Sequence, residues 1–89
     1  MKDKKIIVLM GGPSKEAEVS RRTGAAIAEA LESKGYNAQT LELNPRTVLK
    51  DIEDLGGEVV FNAIHGDVYK RQVQGRLRLI RGLEARSYA

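Results

Sequence analysis

Lys4-Lys5-Ile6-Ile7-Val8-Leu9-Met10 is a continuous, largely β-branched apolar run that stops at Gly11-Gly12. A strand with one wet face alternates polar and apolar side chains, whereas an unbroken run of this kind suits a strand covered on both faces of a parallel sheet. Parallel neighbours need a crossover of a dozen or more residues between them, usually a helix. The chain supplies two. From Glu16, apolar residues fall at Val19, Ala26, Ile27, Ala30 and Leu31, the spacing of one helical face, and Gly35 stands where a helix of about 18 residues would end. Gly24 inside that helix costs about 1 kcal/mol against alanine, which fits a helix backbone lying close against a strand. Residues 37–43 read as a second strand. Asn44-Pro45 reads as a cap with proline at the first helical position, opening a second helix whose stripe is Val48, Leu49, Ile52 and Leu55 and whose end is Gly56-Gly57. Residues 58–64 read as a third buried strand ending at His65-Gly66. The order βαβαβ predicts an α/β fold, a three-layer Rossmann-like parallel sheet with flanking helices and right-handed crossovers.

Eighty-nine residues make one small domain, with no boundary before residue 66. The absence of cysteine excludes a disulfide framework, a thiolate zinc site and a thiol nucleophile, and histidine occurs once. The longest unbroken apolar run, residues 6–10, is far short of the roughly 20 residues of a membrane span. It is also too short for a signal-peptide core, so the expected location is cytoplasmic.

The net charge of +3 is unevenly spread, with −1 over residues 1–66 and +4 over residues 67–89. In the basic tail, residues 73–83 could form a helix with Val73, Leu77 and Ile80 inward, but Arg76, Arg78, Arg81 and Arg86 blur the pattern. The tail otherwise reads as a solvated terminus. A nucleic-acid role is disfavoured because only Tyr69 and Tyr88 could stack on bases there.

Ligands of an open parallel sheet bind beyond the carboxyl ends of its strands. Gly11-Gly12-Pro13-Ser14 leaves the first strand, Glu16 and Glu18 open the first helix, and His65-Gly66 leaves the third strand. First and third strands are commonly neighbours in such sheets, so a carboxylate and an imidazole are expected to face one cleft. The glycine pair leads into a helix N-terminus, where free N–H groups and a partial positive charge favour anions. Neither G-x-G-x-x-G nor G-x-x-x-x-G-K-[ST] is present, which leaves a tight turn and a ligand-facing loop both open. Glu16 is favoured near a helix start by the dipole alone. His65, at a strand end before a glycine, is poorly placed to fill a core, although a lone histidine can also be structural.

Val8-Leu9-Met10-Gly11-Gly12-Pro13-Ser14-Lys15-Glu16-Ala17-Glu18-Val19-Ser20, then Thr23-Gly24-Ala25-Ala26, and Val59-Val60-Phe61-Asn62-Ala63-Ile64-His65-Gly66 together resemble the N-terminal, pre-ATP-grasp domain of the D-alanine:D-alanine ligase family. The resemblance spans residues 4–66 and implies an enzyme of peptidoglycan precursor synthesis. In that family ATP with magnesium phosphorylates the carboxylate of one D-alanine, and the amine of a second attacks the acyl phosphate. Carried over by position, Glu16 would contact the ammonium of the first D-alanine and Val19 would pack near its methyl group. His65 would lie beside its carboxylate and the acyl phosphate, Gly11, Gly12 and Ser14 would be further substrate-binding residues in the adjoining loop, and Glu16 and His65 would be the catalytic residues. The resemblance assigns no metal ligand to this chain. ATP and Mg2+ would be held by the ATP-grasp domains, which would follow residue 89, and a homodimer is implied for the parent enzyme. The chain alone is therefore expected to lack ligase activity. The alternative is a free-standing small-molecule binding module without catalysis.

The resemblance departs at Asp67. Where the family continues H-G-x-x-G-E-D-G-x-[IL]-Q-G, this chain reads His65-Gly66-Asp67-Val68-Tyr69-Lys70-Arg71-Gln72-Val73-Gln74-Gly75, one residue shorter and without G-E-D-G. Residues 1–66 thus read as the ligase-type substrate-binding domain and residues 67–89 as a divergent tail that could complete it.

Overall fold

A computed structural model of the chain describes residues 2–87. The predicted first three strands and two helices are present as β1 (Lys5–Met10), α1 (Ala17–Ser33), β2 (Asn37–Glu42), α2 (Val48–Asp54) and β3 (Val59–Asn62), followed by α3 (Asp67–Leu77) and β4 (Glu84–Ser87). The four strands form one parallel sheet in the order β2-β1-β3-β4. β1 is therefore internal, and Ile6, Ile7, Val8 and Leu9 are all fully buried, as its unbroken apolar run requires.

Successive side chains of a strand point to opposite faces. Ile7, Leu9 and Val60 meet Val48 and Ile52 of α2 and Val73 and Leu77 of α3 on one face. Ile6, Val8 and Val59 lie on the other, where Ala28, Ile27 and Leu31 of α1 cover them. The result is the expected three-layer α/β arrangement.

Four local expectations are corrected. The buried face of α1 is Ala17, Ser20, Gly24 and Ala28, while Val19, Ala26 and Ala30 point outward. Small residues at a spacing of three or four let the helix sit closer to the sheet than an aliphatic stripe would. A Cβ at Gly24 would stand 2.7 Å from the Cβ of Met10. The second helix starts three residues later than the Asn44-Pro45 signal suggests, because Asn44 Oδ1 accepts the Arg46 N–H at 3.0 Å and closes a turn of its own. The helix expected at 73–83 runs instead over Asp67–Leu77, with Val73 and Leu77 inward and Ile80 beyond its end, still packed against the core. Residues 67–87 are accordingly not a solvated terminus. Glu84-Ala85-Arg86-Ser87 carries no strand signature of its own, yet it pairs with β3 from Val59↔Glu84 to Asn62↔Ser87. That backbone ladder, with Ala85 packed on the core, makes it an edge strand.

Gly24→Ala is expected to destabilise the fold by about 1–3 kcal/mol through overpacking against Met10, although alanine is the better helix former. The check is the urea midpoint at unchanged m-value. A raised midpoint would show that helix propensity outweighs the close approach.

Candidate functional site

Because β1 and β3 are neighbours, the loops that leave them lie side by side. The β1 loop turns at Gly11 (φ +76°) and Gly12 (φ +92°), a left-handed region that glycine enters at little cost. A side chain at Gly11 would also collide with the carboxylate of Glu42. Ser14 then prepares the helix entry: its Oγ accepts the Glu16 N–H at 2.9 Å and its carbonyl accepts the Ala17 N–H at 3.2 Å. These bonds satisfy N–H groups that have no partner within the helix.

The N–H groups of the glycine pair are already engaged within the protein. Gly11 N–H donates to Ser20 Oγ at 2.9 Å and Gly12 N–H donates to Glu42 Oε2 at 3.1 Å. The sequence left a tight turn and a ligand-facing loop open, and this hydrogen bonding favours the turn for the two amides. Glu42 in turn receives a two-pronged guanidinium contact from Arg21, with Nε to Oε1 and Nη2 to Oε2 both at 2.9 Å. Arg21 on α1 and Glu42 on β2 thus brace the loop from outside.

On the β3 side, Ala63 and Ile64 are buried and His65 and Gly66 are half-buried. His65 Nδ1 lies 3.0 Å from the Ala63 carbonyl oxygen. Gly66 (φ +96°) sits against the opposite loop, where a Cβ would lie 3.2 Å from Glu16 Oε2 and 3.4 Å from Ser14 Oγ. The structure therefore brings Ser14, Glu16 and the His65-Gly66 turn to one place at the carboxyl edge of the sheet. Val19, on the next turn of α1, is 51% exposed.

Two residues that the motif reading left without a role join the loops from within. Ser20 Oγ accepts the Gly11 N–H and donates to the Ala63 carbonyl at 2.7 Å. Asn62 Oδ1 accepts the Ile64 N–H at 3.1 Å, and its Nδ2 donates to Gln74 Oε1 at 3.1 Å. Each carried a signal. Ser20 continues the small-residue series Ser20, Gly24, Ala28, and Asn62 interrupts an apolar run at its centre.

Glu42's carboxyl is held below its ordinary value first by the hydrogen bond from Arg21, against a smaller opposing effect of burial, with the Gly12 N–H adding to the lowering. A depressed folded-state value stabilises the fold above the ordinary carboxylate range and is lost as pH falls through the folded value. Wild type and Glu42→Gln should therefore differ in melting temperature at neutral pH and converge between about pH 5 and pH 3. A gap that stays constant across that window would show that the charge on Glu42 contributes nothing.

No protein-family model matches the chain. Among curated proteins, it is 44% identical over 77 residues to D-alanine–D-alanine ligase of Moorella thermoacetica, covering 85% of this chain and 25% of the relative. It is 45% identical over 80 residues to the ligase of the same name from Syntrophotalea carbinolica, covering 89% and 26%. Among solved structures, D-alanine–D-alanine ligase from Bacillus anthracis complexed with ATP superposes with a TM-score of 0.76 at 28% identity, over 92% of this chain and 28% of that one. The chain spans about a quarter of the length of the curated relatives it matches. In sequence and in fold, it matches the N-terminal part of the D-alanine–D-alanine ligases.

Proposed function

We propose that this chain supplies the first D-alanine site of a D-alanine–D-alanine ligase, as one wall of that site. The observation that carries the reading is the meeting of Glu16 and the His65-Gly66 turn across two loops, with Glu16 Oε2 placed 3.2 Å from where a Gly66 Cβ would be. An α-amino acid presents an ammonium, a carboxylate and a side chain at one carbon. A carboxylate at Glu16 suits the ammonium, an imidazole at His65 suits the carboxylate, and the exposed Val19 offers an apolar surface to the methyl group. In this reading Glu16 and His65 are the residues that act on substrate, and Gly11, Gly12 and Ser14 shape the loop that carries Glu16.

In this reading the described residues hold neither ATP nor magnesium. They contain no group of three or more His, Asp or Glu side chains that could hold a metal ion, and the glycine amides are committed to Ser20 and Glu42. Nucleotide and metal belong, in this proposal, to the ATP-grasp portion of a ligase, which is the chain's principal partner together with D-alanine. A cytoplasmic setting, a place in peptidoglycan precursor synthesis and a homodimeric parent are parts of the same proposal. No helix among the described residues is long and apolar enough to cross a membrane.

D-Alanine is expected to shift the His65 ring and Gly66 amide resonances saturably, with a dissociation constant of about 1 mM or weaker, since a partial site offers few contacts. L-Alanine should act more weakly, and Glu16→Gln should abolish the response. Indifference to D-alanine, or equal response to both enantiomers, would overturn the assignment. With ATP and D-alanine, the purified chain is expected to form no D-alanyl-D-alanine. Detection of that dipeptide would show that the 89 residues are catalytically sufficient.

A further inference from the structure

We infer that Ser20 and Asn62 are positioning residues that fix a single tautomer of His65 by clamping the peptide group between Ala63 and Ile64. Among the described residues, Ser20 and Asn62 are the two polar side chains that are buried, both at 0% exposure. They come from different elements and close on one peptide plane. Ser20 Oγ donates to its carbonyl at 2.7 Å, and Asn62 Oδ1 accepts its N–H at 3.1 Å. Each is itself held from behind. Ser20 Oγ receives the Gly11 N–H, which turns the hydroxyl proton toward Ala63, and Asn62 Nδ2 is tied to Gln74 on α3. The Ala63 N–H is also committed, donating to the Leu9 carbonyl at 2.8 Å.

The same Ala63 carbonyl lies 3.0 Å from His65 Nδ1. A carbonyl oxygen only accepts, so Nδ1 carries the hydrogen and Nε2 is the remaining nitrogen of the ring. The neutral ring therefore offers Nε2 as an acceptor. Once protonated, it donates through Nε2 to an anion while keeping its Nδ1 bond to Ala63. A histidine oriented in this way by a hydrogen bond to its other nitrogen is ready for one task at one atom. The functional side of this inference, that Nε2–H of the protonated ring meets the substrate carboxylate, rests on the proposed D-alanine site, whereas the tautomer does not.

His65 is the sole histidine of the chain, so its ring nitrogens give an unambiguous signal. Long-range proton–nitrogen correlation spectra of the full chain, labelled at histidine and recorded in alkaline solution where imidazole is neutral, report the tautomer directly. The Nδ1–H form is expected to predominate by about fivefold or more, and predominance of the Nε2–H form overturns the inference. In Ser20→Ala, with a dispersed amide spectrum confirming the fold, the ratio should fall, by about fivefold where the released Ala63 carbonyl turns away from Nδ1 and the equilibrium factor of that one hydrogen bond is lost. An unchanged ratio overturns the part played by Ser20. Should Ser20→Ala fail to fold, Ser20→Cys, close in size and a weak donor, is read in its place by the same criterion. A D-alanine titration without response alongside a fixed Nδ1–H tautomer would remove the substrate reading and leave the clamp standing.

Discussion

The Ser20 hydroxyl joins the turn after β1 to the end of β3, and much of this small fold is arranged around that bond. It accepts the Gly11 N–H and donates to the Ala63 carbonyl in a place with no access to water. A buried polar group without partners costs about 1–3 kcal/mol. Three groups satisfied at one point mean that neither loop can shift without breaking bonds that water cannot replace. The spacing between the two loops, and with it the separation of Glu16 from the His65-Gly66 turn, follows from this contact.

Such a bond forms only if α1 comes close to the sheet. The buried face Ala17, Ser20, Gly24, Ala28 makes this possible, because none of these side chains is large enough to hold the helix away. Gly24 lies over Met10 with no room for a methyl group. The larger aliphatic residues of α1 then lie at the flanks of the seam, Ile27 and Leu31 half-buried and Val19 turned outward. The close packing that holds the helix on β1 thus also leaves Val19 exposed.

Much of the architecture was legible in order and kind. Strong apolar runs ended by glycine gave β1 and β3, and the adjacency of their ends, on which the site depends, agrees with the usual topology of βαβ units. Gly66, in the turn after β3, lies against the side chains of Glu16 and Ser14, as the adjacency of the two loops suggested. The buried face of α1 departs from the aliphatic stripe because a close helix–sheet contact selects serine and glycine, which carry no apolar period. α2 starts later than the Asn44-Pro45 signal because the side chain of Asn44 competes with the helix for local N–H groups. β4 could not be seen at all, since Glu84-Ala85-Arg86-Ser87 is a strand only through its pairing with β3.

From the sequence alone come the alternation of strands and helices, the parallel sheet, the glycine turns and the residues with chemistry to offer, because these depend on local conformational preference and on the period of apolar residues. The tertiary structure alone decided that the glycine amides are engaged by Ser20 and Glu42, that Asn62 and Ser20 grip one peptide group, and that residues 67–87 complete the core and the sheet. Each of these joins groups far apart in the chain. A hydrogen bond across 43 residues, as between Ser20 and Ala63, leaves no local pattern, and its partners are fixed only when the layers pack.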